Sequence, residues 1–252
     1  VTAGRPSHGA GSPLRVVTWN IHGAVGTDRR YDPDRIAEVL VRLDADIVGL
    51  QEVDTRRPDP DDGVDKLSYI ARQAGYRAIP GPNIVEHRGH YGNAVLTRLP
   101  VLREDRVDLA VPNREPRGAL DVEVVGPQGP LRVIVTHLGL KGLERHAQVD
   151  RLIAAIGPRP VAFEPTLLLG DFNEWPLGGG ARLRRLLHRF EAHYVVRTFP
   201  SPLPLLPLDR IYSHPRPAWA DAHAPHTALT RRASDHLPLV VDLAWAEDGE
   251  SE

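Results

Sequence analysis

Leu167-Leu168-Leu169-Gly170-Asp171-Phe172-Asn173-Glu174 is a run of three leucines and a glycine that leads straight into an acid, an aromatic ring and an amide. The apolar half reads as a fully buried strand. In an extended chain, residues i and i+2 project to the same side. Asp171 and Asn173 would then hold a carboxylate and a carboxamide over one spot, as the floor of a catalytic site requires. Gly, Asp and Asn are also ordinary turn formers, and the octapeptide alone leaves an Asx-type turn equally open.

Other apolar runs in the chain end in the same way. Leu14 to Trp19 has the β-branched content of a strand and gives way to Asn20-Ile21-His22-Gly23. Asp32-Pro33-Asp34 supplies an N-cap, a proline for the first helical position and an early acid. Ile36, Ala37, Val39, Leu40 and Leu43 follow at helical spacing, with Glu38 and Arg42 paired on the other side. Asp46 to Leu50 is a second buried strand, ending on Gln51-Glu52. The order strand, helix, strand predicts a βαβ-like opening, and both strands finish on a group able to bind a hard cation.

Further along, Val64 to Ala74 reads as a short helix closed by Gly75. Tyr76 to Ile79 reads as a strand before a Pro/Gly/Asn turn, and a strand within His90 to Arg98 places Asn93 near a rim. Val101 to Leu109, Ala119 to Val125 and Leu131 to Thr136 are expected as antiparallel strands with Gly126 to Pro130 as a hairpin, the third running into His137. Glu144 to Ile156 is an amphipathic helix with Ala147, Leu152, Ala155 and Ile156 as its apolar positions. After a Gly178-Gly179-Gly180 joint, Ala181 to Phe190 puts Leu183, Leu186, Leu187 and Phe190 on one face and Arg182, Arg184, Arg185 and Arg189 on the others. That segment is either a surface helix packed on a sheet or a basic rim that meets an anionic head group. Pro202, Pro204 and Pro207 exclude a regular element and make 201–207 an extended connection to a strand at Leu208 to Tyr212. Trp219 to Ala222 and Leu239 to Leu243 are the last strands, and Ser234-Asp235-His236-Leu237-Pro238 turns into the second of them.

The 252 residues suffice for one large domain, with two small domains as the alternative. The expected division is a disordered leader over 1–13, one domain over 14–245 and an acidic tail over 246–252. A composition of 41% apolar and 25% charged residues is that of a globular protein. The net charge of −2 argues against a broad basic surface for nucleic acid, while a local basic patch remains allowed. With no cysteine, a metal must be held by Asp, Glu, Asn or His. No run approaches the ~20 apolar residues of a membrane span, and 1–13 has no apolar signal core. A monomer in the cytoplasm is expected.

Polar signatures thus sit at strand ends or adjoining turns: Asn20, Glu52, His137, Asp171 with Asn173, Asp209, and Asp235 with His236. Thr18-Trp19-Asn20-Ile21-His22-Gly23, Leu50-Gln51-Glu52-Val53, Tyr91-Gly92-Asn93-Ala94, Thr136-His137-Leu138, Gly170-Asp171-Phe172-Asn173, Leu208-Asp209-Arg210-Ile211 and Ser234-Asp235-His236-Leu237-Pro238 together resemble the endonuclease/exonuclease/phosphatase superfamily with its DNase I-like fold. The resemblance covers nearly all of residues 14–243. It implies a four-layer α/β sandwich, two mixed sheets packed face to face with helices outside, and a divalent-metal phosphoesterase site at one edge of the sheets.

The residue types suit that chemistry. A phosphodiester is anionic and repels hydroxide, so an enzyme must neutralise charge, align a water and stabilise the leaving oxygen. On the resemblance, Glu52 with Asn20, joined by Asp235, would hold Mg²⁺, with Mn²⁺ as a substitute. Asp171 with Asn173 would align the water, and Asp209 would orient His236. His137 would touch a phosphate oxygen or assist the leaving group, and Asn93 would position substrate. Whether Asp171 or His236 takes the proton stays open at this stage. The expected activity is a Mg-dependent phosphodiesterase or phosphatase-type hydrolase acting on a phospholipid head group (sphingomyelin type) or on nucleic acid as a DNA/RNA nuclease. The remaining alternative is a catalytically silent member that binds a phosphorylated ligand or protein partner. Thr136-His137-Leu138 departs from the Asn-containing segment of the abasic-site repair branch, and Thr198-Phe199-Pro200 is more like small bacterial members.

Overall fold

A computed structural model describes residues 13–57, 65–157, 165–175 and 183–246. The leader up to residue 12, the glycine joint at 178–180, Arg182 and the tail from 247 lie outside the described residues.

Two six-stranded mixed sheets face each other. The first runs in the order β11 (Trp219–His223), β12 (Leu239–Ala244), β1 (Leu14–Asn20), β2 (Ile47–Asp54), β4 (Gly89–Thr97), β3 (Arg77–Glu86). The second runs β5 (Val101–Asp108), β6 (Gly118–Gly126), β7 (Gly129–His137), β8 (Thr166–Asp171), β10 (Asp209–His214), β9 (Ala192–Val195). In each sheet the central pair, β1–β2 or β7–β8, is parallel and the other pairings are antiparallel. Parallel neighbours need a crossover, supplied by α1 (Pro33–Leu43) and by α3 (Gly142–Ile156). The Asp32 side chain caps α1 by accepting from the Arg35 amide at 2.9 Å, with Pro33 at the first position, as its sequence predicts.

Three apolar layers hold the stack. Leu14, Val16, Ile47 and Val95 meet Leu120, Val133, Val135, Leu167, Leu169 and Ile211 between the sheets. α1 and α2 (Lys66–Ala74) cover the outer face of the first sheet, while α3 and the Leu183, Leu186 and Phe190 side chains cover that of the second. Strand alternation then fixes where polar residues point. Leu167 and Leu169 face inward and Leu168 outward, so Asp171 carries inward parity; by the same count so do Asn20, His137 and Asp209. An inward residue at a strand end lies at the edge of the sandwich.

The structure corrects several sequence expectations. The strand from residue 77 does not stop at Ile79 but runs through Pro80, Gly81 and Pro82 to Glu86. It is an edge strand, where a proline lacking N–H costs no ladder bond on the open side. The face of α3 turned to the sheet is Glu144, Arg145, Gln148, Val149 and Leu152; Ala155 is exposed, and Ala147 and Ile156 are only partly covered. Among the described residues 183–190 there is a single turn, α4 (Arg184–Leu187), with Leu183, Leu186 and Phe190 packed on Tyr212 and Phe172 and with Arg185 paired to Asp150. Segment 201–207 is not extended: it folds back, with Leu205 and Leu206 amides both donating to the Phe199 carbonyl at 2.9 and 2.7 Å. β9 had no distinct signal in the sequence.

Gly170 pins the end of β8. Its φ of 156° suits glycine, and a Cβ there would fall 1.9 Å from the Thr136 carbonyl oxygen on the neighbouring strand. Gly170→Ala is expected to lower stability by on the order of 3 kcal/mol, read as a shifted urea midpoint with unchanged slope.

Candidate active site

The ends of β1, β2, β7 and β8, the start of β10 and the turn before β12 converge on one edge of the sandwich. The Asn20 amide nitrogen stands at the centre, donating to Glu52 Oε1 at 2.9 Å and to Asp171 Oδ2 at 3.2 Å. Alternation would send Glu52 to the helix side with Val48 and Leu50. A register shift between Leu50 and Val53, with Glu52 at φ 55°, breaks the alternation and lets the carboxylate reach Asn20. Asn20 is held in turn by the Ser234 hydroxyl, which donates to its carbonyl at 2.7 Å.

Asp171 and Asn173 do come together, though not as residues of one extended strand. Asn173 has φ 49°, and its backbone N–H donates to Asp171 Oδ1 at 2.9 Å. Both of the opening alternatives hold at once: an Asx-type turn caps the strand, and it builds part of the cluster. Asn173 Nδ2 donates to the Leu138 carbonyl at 2.9 Å and lies 3.0 Å from His137 Nε2.

His236 lies between two acids, with Nδ1 2.8 Å from Asp209 Oδ2 and Nε2 3.6 Å from Asp171 Oδ2. Burial alone would lower its pKa, but the charges of Asp209 and Asp171 and the bond to Asp209 prevail and push it up to about 10. The Thr198 hydroxyl fixes the same Asp209 oxygen at 2.5 Å, and the Trp19 indole donates to the His236 carbonyl at 2.9 Å. His137 is the opposite case. It is buried, and desolvation with the nearby Arg117 charge pushes it down to about 3 although Asp171 pulls the other way. Arg117 Nη1 lies 3.1 Å from His137 Nδ1 and can only donate there, while Nε2 faces the Asn173 amide nitrogen at 3.0 Å and Asp171 Oδ2 at 3.6 Å.

Asn93, on β4 beside β2, is buried. Its Nδ2 donates to the Gly118 carbonyl at 3.0 Å, next to Arg117, and its Oδ1 is buried without a hydrogen-bond partner. Asp235 is the most open member, 37% exposed, with its Oδ1 4.0 Å from His22 Nδ1. Arg117, Thr198 and Trp19 were not singled out as site residues from the sequence. Thr198 lies in the Thr-Phe-Pro segment already noted; Arg117, in Glu-Pro-Arg-Gly between two strands, gave no signal apart from its strand-end position.

Asp171, Asp209 and His236 could hold a divalent metal, since one ligand atom from each lies within 4.8 Å of the others. Glu52 offers a second acidic pole. Burial foremost raises its pKa, with the charges of Asp235 and Asp171 adding to the effect and the Asn20 bond and His22 opposing it. Four carboxylates at one edge, Glu52, Asp171, Asp209 and Asp235, are a donor set that a hard cation fits.

The fold is a DNase I-like sandwich, and the endonuclease/exonuclease/phosphatase family model matches residues 17–236. The chain belongs to that family, whose members include phosphodiesterases, nucleases and phosphatases. It is 35% identical over 249 residues to the uncharacterized protein YbhP of Escherichia coli K12, covering 91% of this chain and 96% of that protein. An endonuclease/exonuclease/phosphatase from Beutenbergia cavernae superposes with a TM-score of 0.71 at 23% identity, covering 95% of this chain and 73% of that one. D. rerio TDP2 complexed with a single-strand DNA product gives 0.66 at 18% identity, covering 92% and 98%. Among the described residues no helix is long and apolar enough to cross a membrane.

The two histidines should titrate in opposite directions from the ordinary 6.5. The raised group, His236, contributes stability that is complete below about pH 6.5 and lost as pH rises toward about 10. The depressed group, His137, contributes stability that is complete above about pH 6.5 and lost as pH falls toward about 3. Imidazole NMR signals should show His236 protonated at about pH 8 and His137 neutral at about pH 5. In urea titrations His236→Gln should flatten the alkaline limb of stability and His137→Gln the acid limb.

Proposed function

We propose that the chain hydrolyses a phosphodiester by direct attack of water. The observation that carries this reading is the single Asn20 amide shared between Glu52 and Asp171. It ties an acidic metal pole to a proton-handling pole at hydrogen-bond distance. Glu52 with Asn20, and Asp235 beside them, would hold Mg²⁺ or Mn²⁺. The Asp171–Asp209–His236 trio suits an ion less well, because a histidine carrying both protons has no lone pair for one. When bound, the ion would polarise a phosphoryl oxygen or the leaving oxygen.

The chain's own side chains do the rest. Asp171, oriented by Asn20 and by the Asn173 amide, lines up the attacking water and takes its proton. The bond from the water oxygen to phosphorus forms as the ester bond to the leaving oxygen breaks. His236 is protonated at neutral pH, so it acts as donor, not base, and holds the negative charge that gathers on the phosphoryl oxygens. Asp209 keeps that proton in place from the far side of the ring. His137, neutral and buried, orients Asp171 and Asn173, and Asn93 with Arg117 positions the substrate at the rim. The presence of every one of these side chains weighs against a silent binding member.

Purified protein should cleave bis(p-nitrophenyl) phosphate with Mg²⁺ or Mn²⁺ and stop on adding EDTA. Asp171→Ala and His236→Ala should fold, judged by circular dichroism, and lose about 10²- to 10⁴-fold in kcat. Wild-type rates in either variant would overturn the assignment. A panel of DNA, RNA, sphingomyelin, phosphatidyl head groups and inositol phosphates then identifies the ester.

A further inference from the structure

Large apolar side chains stand in solvent on the segments that adjoin the strand ends of the site. Leu140, Leu143, Trp175, Leu203 and Leu205 are exposed, from 42% at Trp175 to 83% at Leu143. They belong to three segments that each adjoin a site residue: 138–143 after His137, 173–175 after Asp171, and 196–208 before Asp209. Direct contacts join the three. Arg145 donates to the Gly139 and Leu140 carbonyls at 3.1 and 2.7 Å and to Glu174 Oε2 at 3.0 Å. Next to Glu174, the Trp175 ring lies 6.2 Å from Phe199, whose ring lies 4.8 Å from His236. Phe199 in turn anchors the turn that projects Leu203 and Leu205.

The charges on these segments are one-sided. The chain has 33 acidic residues, yet the three segments contain only Glu174, which is buried against Arg145. Lys141 and Arg197 are exposed there, with no ion-pair partner among the described residues. Leucines and a tryptophan flanked by exposed cations suit a surface that is hydrocarbon beneath and anionic at the head-group level. A nucleic acid would satisfy the cations but offers no hydrocarbon to the leucines.

We propose that this collar docks the chain on an anionic lipid bilayer, so that the phosphoester reaching Asp171 and His236 is that of a membrane lipid. The substrate class rests on the phosphodiesterase reading above, whereas the docking does not. Its test is cosedimentation with vesicles of phosphatidylcholine alone or mixed with phosphatidylglycerol, with bound protein as the readout. Wild-type protein should pellet with the mixed vesicles and bind phosphatidylcholine alone about tenfold less tightly. Combining Leu143→Ser, Leu203→Ser and Leu205→Ser should weaken binding about tenfold or more without changing the melting curve, since all three side chains are solvent-facing. Lys141→Glu with Arg197→Glu should remove the preference for the anionic vesicles. Wild-type protein left in the supernatant with both vesicles, or leucine variants that bind as tightly as wild type, would overturn the proposal. So would a wild-type dimer on gel filtration that the leucine changes convert to monomer, because the collar would then belong to a second copy. Binding without turnover would sink only the catalytic reading, and turnover without binding only the docking.

Discussion

Three buried hydrogen bonds cross from one sheet to the other through an interface whose buried apolar cluster is leucine, isoleucine and valine. Asn20 reaches Asp171, Asn93 reaches the Gly118 carbonyl, and His236, leading into β12, reaches Asp209 at the head of β10. Apolar packing is non-directional and tolerates small slides of one sheet over the other. A buried amide or carboxylate that loses its partner is costly. These three contacts therefore fix the relative position of the sheets to within a hydrogen-bond length, and each also belongs to the candidate site. Alignment of the sandwich and alignment of the chemistry are one constraint.

The same edge separates two electrostatic states within a short distance. His236 is buried with Asp209 and Asp171 on either side of its ring and is held as a cation, whereas His137, buried beside the Arg117 guanidinium, is held neutral. Burial acts on both in the same direction, so neighbouring charge alone decides between them. The Asp171 carboxylate stands 3.6 Å from a nitrogen of each ring, with a cationic imidazole on one side and a neutral one on the other.

Much of the site could be read from the sequence because strand alternation is strict. Once Leu167 and Leu169 are inward, so is Asp171, and the same parity picks out Asn20, His137 and Asp209. What could not be read follows from departures from that rule. Glu52 reaches its place through a bulge, and Asn173 through a left-handed residue; neither follows from alternation. The buried face of α3 begins with Glu144, Arg145 and Gln148 because it supports the Gly139–Leu140 turn, with the Gln148 carboxamide accepting from the Gly139 amide at 2.8 Å. A helix that buries polar groups to hold a loop looks, by its apolar spacing alone, as though it faced another way. Pro80 and Pro82 misled for a related reason, since only the finished sheet shows that their strand lies at an edge.

The two sheets share one wiring diagram. The path β7, α3, β8, α4, β9, β10 is matched by β1, α1, β2, α2, β3, β4, and the leading pair β5–β6 is matched by β11–β12. The second unit is contiguous over 101–214, but the first is split, because its leading pair comes from 219–244 at the far end of the chain. A ribosome therefore releases every strand of the second sheet while the first still lacks two. β1 keeps an unpaired edge until β12 arrives, and its pairings from Leu14 with Leu243 to Thr18 with Leu239 span almost the whole polypeptide. His236 enters with that last segment, so the nascent chain acquires its charged donor only as the sandwich closes.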